Sequence, residues 1–155
     1  MDISRQALEI AARNVNRHAV NDRVNLIESD LFESLPERSY DLIVANPPYV
    51  PVDSINDLPV EYRAEPVLGL VSGSDGLDAT LSILADAPRF LAEKGVLVCE
   101  VGESEQRLLA LLPEVPFLWP DLARGGSGVF ILTRDELEHA RPQLATLVEE
   151  RKNVA

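Results

Sequence analysis

A strand-like run ends on two prolines and a tyrosine in YDLIVANPPYV, which spans Tyr40–Val50. In open α/β sheets, ligands bind outside the carboxyl ends of the strands, which is where Asn46 would lie. Pro47 and Pro48 fix φ and lack N–H donors, so we expect a stiff, extended backbone with outward-facing carbonyls. The Asn46 amide oxygen adds a second acceptor, and Tyr49 adds a flat apolar face. This set suits a planar group ending in NH₂, and the alternative is a turn that only closes a strand.

Composition limits the classes of protein that the chain can represent. Its 155 residues suffice for one domain, and 46 % hydrophobic content indicates a globular chain. No run of 18 apolar residues is present, so no membrane span is predicted. The first ten residues lack the pattern of a secretory signal. The only cysteine, Cys99, lies in an apolar run and is interpreted as a buried small hydrophobe, which fits a reducing cytoplasm.

The net charge and the positions of potential metal ligands limit which partners the chain could bind. The formal net charge of −12 argues against duplex DNA or structured RNA, which favour a basic face. It permits a basic protein or a cationic small molecule, and solubility alone is the simpler interpretation. His18, His139 and Cys99 are too far apart in sequence for a metal-ligand pattern, so no metal is predicted.

Alternating helices and strands predict a parallel α/β sheet. The helices are predicted after Ser4 as N-cap, over Gly76–Ala92 with a kink at Pro88 and a stop at Gly95, after Ser104 as N-cap, and over the C-terminal segment with a break or kink near Pro142. The strands are predicted at Val24–Glu28, in YDLIVAN with both faces covered, in GVLVCEVG, and as an antiparallel pair around the glycine-rich run ARGGSGVF.

Two segments between these elements have competing interpretations. Residues 47–75 are rich in Pro, Gly, Asp and Ser, and an unstructured loop of this length is usually functional. The run ARGGSGVF could bind phosphate, but a strand follows its glycines, so a hairpin turn is favoured. Phe117 and Trp119, two residues apart, are assigned to core packing.

The Asn-Pro-Pro-Tyr motif and its surroundings resemble a known family. The motif is similar to that of S-adenosylmethionine-dependent methyltransferases acting on planar amino groups. SDLFESLPERSYDLIVANPPYV, DLPVEYRAEPVLGLVSGSDGLD, GVLVCEVGES and GGSGVFILT closely resemble the HemK-type protein-glutamine methyltransferases that modify a large-subunit ribosomal protein. The resemblance runs from Asp2 to about Arg141, and EYRAEPVLGLVSGSDGL separates this group from the release-factor and nucleic-acid enzymes.

The resemblance implies roles on the substrate side. The Asn46 side-chain oxygen and the Pro47 carbonyl would accept the two N–H bonds of a glutamine amide, and Tyr49 would pack on the amide plane. Pro48, between Pro47 and Tyr49, is assigned to the same substrate-binding set. Glu65, in the long loop, is a candidate for orienting the substrate, and a solvated loop carboxylate remains the alternative.

The resemblance also implies roles toward S-adenosylmethionine. Asp2 would hold the ribose hydroxyls, Asp30 would accept from the adenine amino group, and the Leu31 N–H lies beside it. Asn46 would border both cofactor and substrate. Without the resemblance, Asp30 would be interpreted as an ordinary turn or cap residue.

The chain departs from the family pattern at its start. The family carries an N-terminal helical domain, then a strand, a glycine-rich turn and a second strand ahead of the residue matched by Asp2, whereas here Met1 precedes it. We therefore expect an incomplete Rossmann-like class I fold with a C-terminal antiparallel hairpin, residues 1–155 being the C-terminal part of a single catalytic domain. Weak cofactor binding and a homo-oligomer covering the exposed sheet edge are the corresponding expectations.

Two alternatives remain at this stage. One is a nucleic-acid adenine or cytosine amino-methyltransferase, which would apply the same motif to a flipped base. The other is a non-catalytic remnant of the fold. The acidic balance and the EYRAEP segment disfavour the first, and the missing glycine-rich turn favours the second.

Overall fold

The computed structural model describes residues 1–123 and 127–153, and the side chains of residues 63 and 64 are outside this description. The chain divides into two compact units, Met1–Arg38 and Ser39–Ala155. The predicted glycine-rich turn falls on residues 124–126, outside the described residues.

The N-terminal unit consists of one helix and a set of turns. Helix α1 spans Arg5–Arg17, and Ser4 is its N-cap, as predicted, because its hydroxyl accepts from the Ala7 N–H at 3.2 Å. The strand predicted at Val24–Glu28 is wrong: only Glu28 forms a bridge, to Asp2. Val24 and Leu26 are exposed, so no apolar burial supports an extended ladder there.

The second unit is built on a mixed sheet of three strands in the order β1-β2-β3. Strand β1 spans Tyr40–Ala45 and β2 spans Leu91–Glu100, and these two are parallel. Strand β3 spans Val129–Thr133 and pairs antiparallel with β2. The prediction of strands at YDLIVAN and GVLVCEVG is confirmed, and the fold is α/β.

Strand β1 is less covered than its apolar sequence predicts. Ile43 is buried, but Leu42 and Val44 are 53 % and 69 % exposed. The expectation that both faces of this strand are covered is therefore wrong for the described residues. Strand β1 lies at one edge of the sheet. Association of copies through this edge stays a prediction, which light scattering would test.

Helix α2 is shorter than predicted. It spans Asp78–Asp86, and a 3-10 turn at Ala87–Arg89 follows it. Pro88 accordingly ends the helix rather than kinking it, because proline cannot continue the hydrogen-bond ladder. Gly95 is not a helix stop, because it lies inside β2, where a Cβ would come within 2.8 Å of the Tyr40 carbonyl oxygen.

The long segment after β1 is folded into short turns. It contains 3-10 turns at Val52–Asp57, Val60–Ala64 and Val67–Gly69. Each begins directly after a proline, which fixes φ at its entry. The segment therefore has local structure, which the sequence prediction of a loop left out.

The C-terminal elements differ from the prediction in two respects. The first strand of the predicted hairpin is only a bridge between Leu118 and Ile131. Helix α3 spans Glu105–Leu111, and α4 spans Arg134–Lys152 without a break at Pro142. Thr133 caps α4 in a capping box, which fixes where this helix begins.

The core lies between the sheet and the helices. Leucines from α2, β2, β3 and α4 are almost fully buried, and they include Leu81, Leu84, Leu97, Leu132, Leu137 and Leu144. Phe117, Trp119 and Phe130 form an aromatic cluster with centroids 5.0–5.7 Å apart. This cluster confirms the assignment of Phe117 and Trp119 to packing.

Candidate active site

The two parallel strands end at the same edge of the sheet. Ala45 is paired with Cys99, so Asn46 and Glu100 come directly after paired positions. This is the edge at which open α/β folds bind ligands. Asn46 therefore lies where the sequence predicted it.

Asn46 and Pro47 differ sharply in exposure. Asn46 is exposed, whereas Pro47 is buried. In the part of the chain that the structure describes, no hydrogen bond occupies the Asn46 amide or the Pro47 carbonyl. The strand is thus followed by an exposed side-chain amide at Asn46 and by the buried Pro47, whose ring restricts the backbone at this point.

The backbone after the motif is tied to the loop that precedes α2. The Val50 N–H donates to the Leu70 carbonyl at 2.8 Å, and the Ser72 N–H donates back to Val50 at 2.9 Å. Val52 adds a bond to the Gly73 carbonyl at 2.9 Å. The motif is therefore fixed on both sides, by β1 before it and by this short parallel pairing after it.

The phenol of Tyr49 is directed at the end of β2. Its hydroxyl donates to Glu100 Oε1 at 3.3 Å. Burial raises the pKa of Tyr49, and the nearby charge and hydrogen bond of Glu100 raise this pKa further. Tyr62 and Glu103 contribute in the same direction. Tyr49 is thus a neutral hydrogen-bond donor at physiological pH.

The backbone of Tyr49 is held by a buried serine. Ser104 Oγ donates to the Tyr49 carbonyl at 2.9 Å, and this serine has no exposed surface. Ser104 occupies the N-cap position of α3, as predicted, but makes no capping bond, because its hydroxyl is directed to Tyr49. Gly76 packs against the same carbonyl, with φ of +82° and no room for a Cβ.

An arginine from the C-terminal helix fixes the loop that carries Gly76. Arg151 Nη2 and Nη1 donate to the two oxygens of Asp75 at 2.6 and 2.8 Å, and Nη1 also donates to Asp78 at 2.7 Å. Hydrogen bonding from Arg151 lowers the pKa of Asp75. This planar, bidentate arrangement is the strong form of an ion pair.

The residues predicted to face the cofactor lie in the N-terminal unit. Asp2 is exposed, and its Oδ1 accepts from the Ser4 N–H at 2.7 Å. Asp30 is exposed. Leu31 has φ of +43°, unusual for a leucine, and backbone strain of this kind is concentrated at functional sites. The assignment of these residues to a cofactor stays a prediction.

A buried serine holds the turn around Leu31. Ser29 Oγ donates to the Leu31 carbonyl at 2.8 Å and accepts from the Ser34 N–H at 2.9 Å. The Glu33 N–H donates to the Asp30 carbonyl at 3.0 Å. These bonds fix the backbone on which Asp30 and Leu31 are presented.

Glu65 is not joined to the Asn-Pro-Pro-Tyr motif. It is exposed at the end of a 3-10 turn, where its N–H donates to the Tyr62 carbonyl at 3.1 Å. Within the described residues, the Glu65 carboxylate makes no hydrogen bond to Asn46 or Tyr49. Its role in orienting a substrate stays a prediction.

Sequence reasoning missed four residues that surround Tyr49. Glu100 is the last residue of β2, Gly102 and Ser104 follow that strand, and Gly76 precedes α2. A signal was present, because the predicted strand GVLVCEVG ends within this set, and parallel strands of a sheet present their carboxyl ends at the same edge as Asn46.

Other surfaces carry none of the predicted site residues. A groove of about 480 Å³ between α2 and α4 is lined by residues that include Ser82, Arg141 and Lys152. Among the described residues, no cluster of His, Cys, Asp and Glu could hold a metal ion. A search of the same residues finds no helix with the length and hydropathy for crossing a membrane.

Comparisons with known proteins agree with the sequence motifs. Residues 1–58 match the methyltransferase small domain family. A ribosomal protein uL3 glutamine methyltransferase from Xanthomonas campestris pv. campestris is 55 % identical over 138 residues. Proteins of the same name from Francisella tularensis and Neisseria gonorrhoeae are 46 % and 50 % identical over 137 residues.

These matches cover most of this chain but less than half of each relative. Each covers 88 % of this chain, but the chain spans only 44–46 % of the length of these relatives. The predicted resemblance to protein-glutamine methyltransferases is confirmed.

Proposed function

We propose that this chain carries the amide-binding part of an S-adenosylmethionine-dependent methyltransferase, whose acceptor is a glutamine side chain of a large-subunit ribosomal protein. Its similarity to the uL3 glutamine methyltransferases supports this proposal. The observation that carries it is the exposed Asn46 at the end of β1, followed by the buried Pro47 and a firmly held Tyr49.

The chemistry follows from the weakness of an amide as a nucleophile. Its nitrogen lone pair is delocalised into the carbonyl. The Asn46 side-chain oxygen and the Pro47 carbonyl would accept the two N–H bonds, which favours a pyramidal nitrogen and stabilises positive charge as the methyl group arrives. Tyr49 would pack on the amide plane and fix the direction of attack. The nitrogen would then lose one proton to give the neutral methylated amide.

S-adenosylmethionine supplies an electrophilic methyl group on a sulfonium. In the N-terminal unit, Asp2 would accept from the ribose hydroxyls, and Asp30 with the Leu31 N–H would bind the adenine edge. The exposure of both carboxylates and the unusual φ of Leu31 support these roles.

The proposal includes a low affinity for the cofactor in the 155-residue chain. The residues named above serve the nucleoside end, but the sequence has no glycine-rich turn between a strand and a helix for the methionine end. An incomplete Rossmann-like sheet is the corresponding proposal for the fold. Isothermal titration should show no low-micromolar binding of S-adenosylmethionine, and such binding would contradict this part.

The charge of the chain suits the proposed acceptor. A formal net charge of −12 favours a basic protein over nucleic acid, and ribosomal proteins bind an anionic polymer with basic surfaces. The setting proposed is the cytoplasm, where such a substrate is made.

The test uses a panel of acceptors with a labelled methyl donor. The 155-residue chain, and a chimera in which the N-terminal region of the Neisseria gonorrhoeae relative precedes Asp2, are each given ribosomal protein uL3 or duplex DNA. We expect the chimera to label uL3 and not DNA. Labelling of DNA alone would favour the nucleic-acid alternative, and labelling of neither would favour a non-catalytic remnant.

A matched pair of variants checks the site itself. Asn46→Ala in the chimera should abolish labelling, since it removes one of the two acceptors. Asn56→Ala changes an exposed asparagine in the following loop and should leave labelling unchanged. Equal labelling by both variants would contradict the role of Asn46.

A further inference from the structure

The segment at the end of β2, residues 100–104, makes three contacts with Tyr49, and the sequence motif that contains this segment assigns it no role in the site. Glu100 reaches the phenol, Gly102 faces the ring and Ser104 reaches the carbonyl. We name this segment the β2-end segment. Because Tyr49 belongs to the proposed amide site, whatever fixes Tyr49 fixes the shape of that site.

Glu100 sets the direction of the Tyr49 ring. It is the last residue of β2 and is half-buried, so its carboxylate has little freedom. A hydroxyl that donates to a carboxylate forms a charge-assisted hydrogen bond, which is stronger and more directional than a neutral one. At 3.3 Å the bond is long, and it is of a kind that can shorten when a ligand closes the site.

Gly102 provides the surface on which the ring lies. Its φ is +47°, and a Cβ at this position would come within 2.6 Å of Tyr49 Cε2. Any side chain here would displace the ring as well as strain the backbone. One face of the Tyr49 ring therefore packs against the Gly102 backbone.

Ser104 holds the backbone of the motif in place. A serine hydroxyl has one hydrogen to donate, and it has two acceptors in reach, Tyr49 at 2.9 Å and Asp75 at 3.4 Å. Arg107 Nη1 donates to Ser104 Oγ at 3.3 Å, which occupies a lone pair and directs the hydrogen elsewhere. The shorter distance favours Tyr49 as the acceptor.

We propose that Glu100 and Ser104 are positioning residues that fix the ring and the carbonyl of Tyr49. Tyr49 in turn orients the bound glutamine amide for its attack on the methyl group of the donor. The inference rests on the proposed function. Both residues act through Tyr49 and contact neither donor nor acceptor. Their loss should lower kcat and leave the KM for S-adenosylmethionine unchanged, since Asp2 and Asp30 are the residues proposed to bind the nucleoside.

The first measurement uses the 155-residue chain and requires no activity. Tyrosine is labelled with ¹³C at Cζ, and Tyr49→Phe identifies the Tyr49 resonance among the three tyrosines. In Glu100→Ala this resonance should shift at neutral pH and the pKa of Tyr49 should fall, because a neighbouring carboxylate has been removed. Glu93→Ala, an exposed glutamate on the same strand, is the control and should change neither quantity. A Glu100→Ala spectrum identical to that of the control would overturn the proposal.

The second measurement separates positioning from general damage in the chimera described above. Glu100→Ala should lower kcat by about ten- to a hundredfold, the effect of losing a charge-assisted hydrogen bond. Glu100→Gln keeps an acceptor and should recover part of this loss, and Ser104→Ala should lower kcat by about tenfold. The KM for the cofactor should stay within about twofold in all three. A kcat equal to that of Glu93→Ala would overturn the positioning roles.

The two measurements distinguish failure of the inference from failure of the proposed function. A shifted Tyr49 resonance with an unchanged kcat overturns the positioning role alone. A wild-type chimera that labels no acceptor overturns the proposed function, and the positioning role falls with it. The spectra then still decide whether the contact between Glu100 and Tyr49 exists.

Discussion

Replacing Arg151 by alanine should destabilise the unit that contains the proposed amide site. Arg151 makes three hydrogen bonds to two carboxylates, at 2.6–2.8 Å. Its side chain is 25 % exposed, and those of Asp75 and Asp78 are 32 % and 47 % exposed. Exposed ion pairs contribute about 0.2–1 kcal/mol, and charge-assisted hydrogen bonds about 1.5–3 kcal/mol. Because these side chains are partly exposed, we expect Arg151→Ala to lower the free energy of unfolding by about 2 kcal/mol.

The assay is urea unfolding followed by the fluorescence of the only tryptophan. Trp119 packs on Phe130 in the same unit, so its emission reports the unit that Arg151 stabilises. Arg151→Lys retains the charge without the bidentate geometry and should lose about 1 kcal/mol. Arg141→Ala removes an exposed pair with Glu138 on the same helix and should change the free energy of unfolding by less than about 0.5 kcal/mol.

The pH dependence gives a sharper test of the same contact. The pKa of Asp75 is lowered in the folded chain, chiefly by its hydrogen bond from Arg151. A depressed carboxylate pKa stabilises the fold above the ordinary value of 3.8, and this stability is lost as pH falls through the folded pKa. The difference between wild type and Arg151→Ala should therefore shrink below about pH 4. A difference equal to that of Arg141→Ala at neutral pH, or one unchanged in acid, would refute the reasoning.

Three further changes follow from other contacts. Cys99 is fully buried and burial raises its pKa to about 12, so thiol reagents should modify it only after unfolding, and rapid labelling of the native chain would contradict this. Ser29→Ala should destabilise the turn at Leu31 by about 1–2 kcal/mol and speed amide exchange at Ser34; unchanged protection would show that the hydroxyl does not hold the turn. Thr133→Ala removes the capping box of α4 and should cost about 1 kcal/mol in thermal unfolding, whereas an unchanged Tm would argue against the cap.

The elements that the sequence predicted correctly are those with strong local signals. Strands β1 and β2 contain the apolar runs LIVA and GVLVC, and α1 has both helical periodicity and a serine N-cap. Asn46 could be placed at the strand end because parallel sheets bind ligands at that edge. These signals lie within short windows and do not require knowledge of distant contacts.

The missed features depend on contacts between distant residues. Val24–Glu28 has the composition of a strand but pairs only at Glu28, and no local pattern reveals the lack of a partner. Pro142 suggested a break or a kink in α4, and the helix continues across it without a break, with Leu137 and Leu144 buried on either side. Ser104 looked like a helix cap, and its bond to Tyr49 crosses 55 residues of sequence.

The central claim is that Asn46 and Pro47 bind the amide of a glutamine for methylation. Tandem mass spectrometry of uL3 after incubation with the chimera and S-adenosylmethionine tests it most directly. We predict one added methyl group on a glutamine side-chain nitrogen, which disappears with Asn46→Ala and persists with Asn56→Ala. A methyl group on any other residue type, or an unchanged glutamine methylation in Asn46→Ala, would contradict the account.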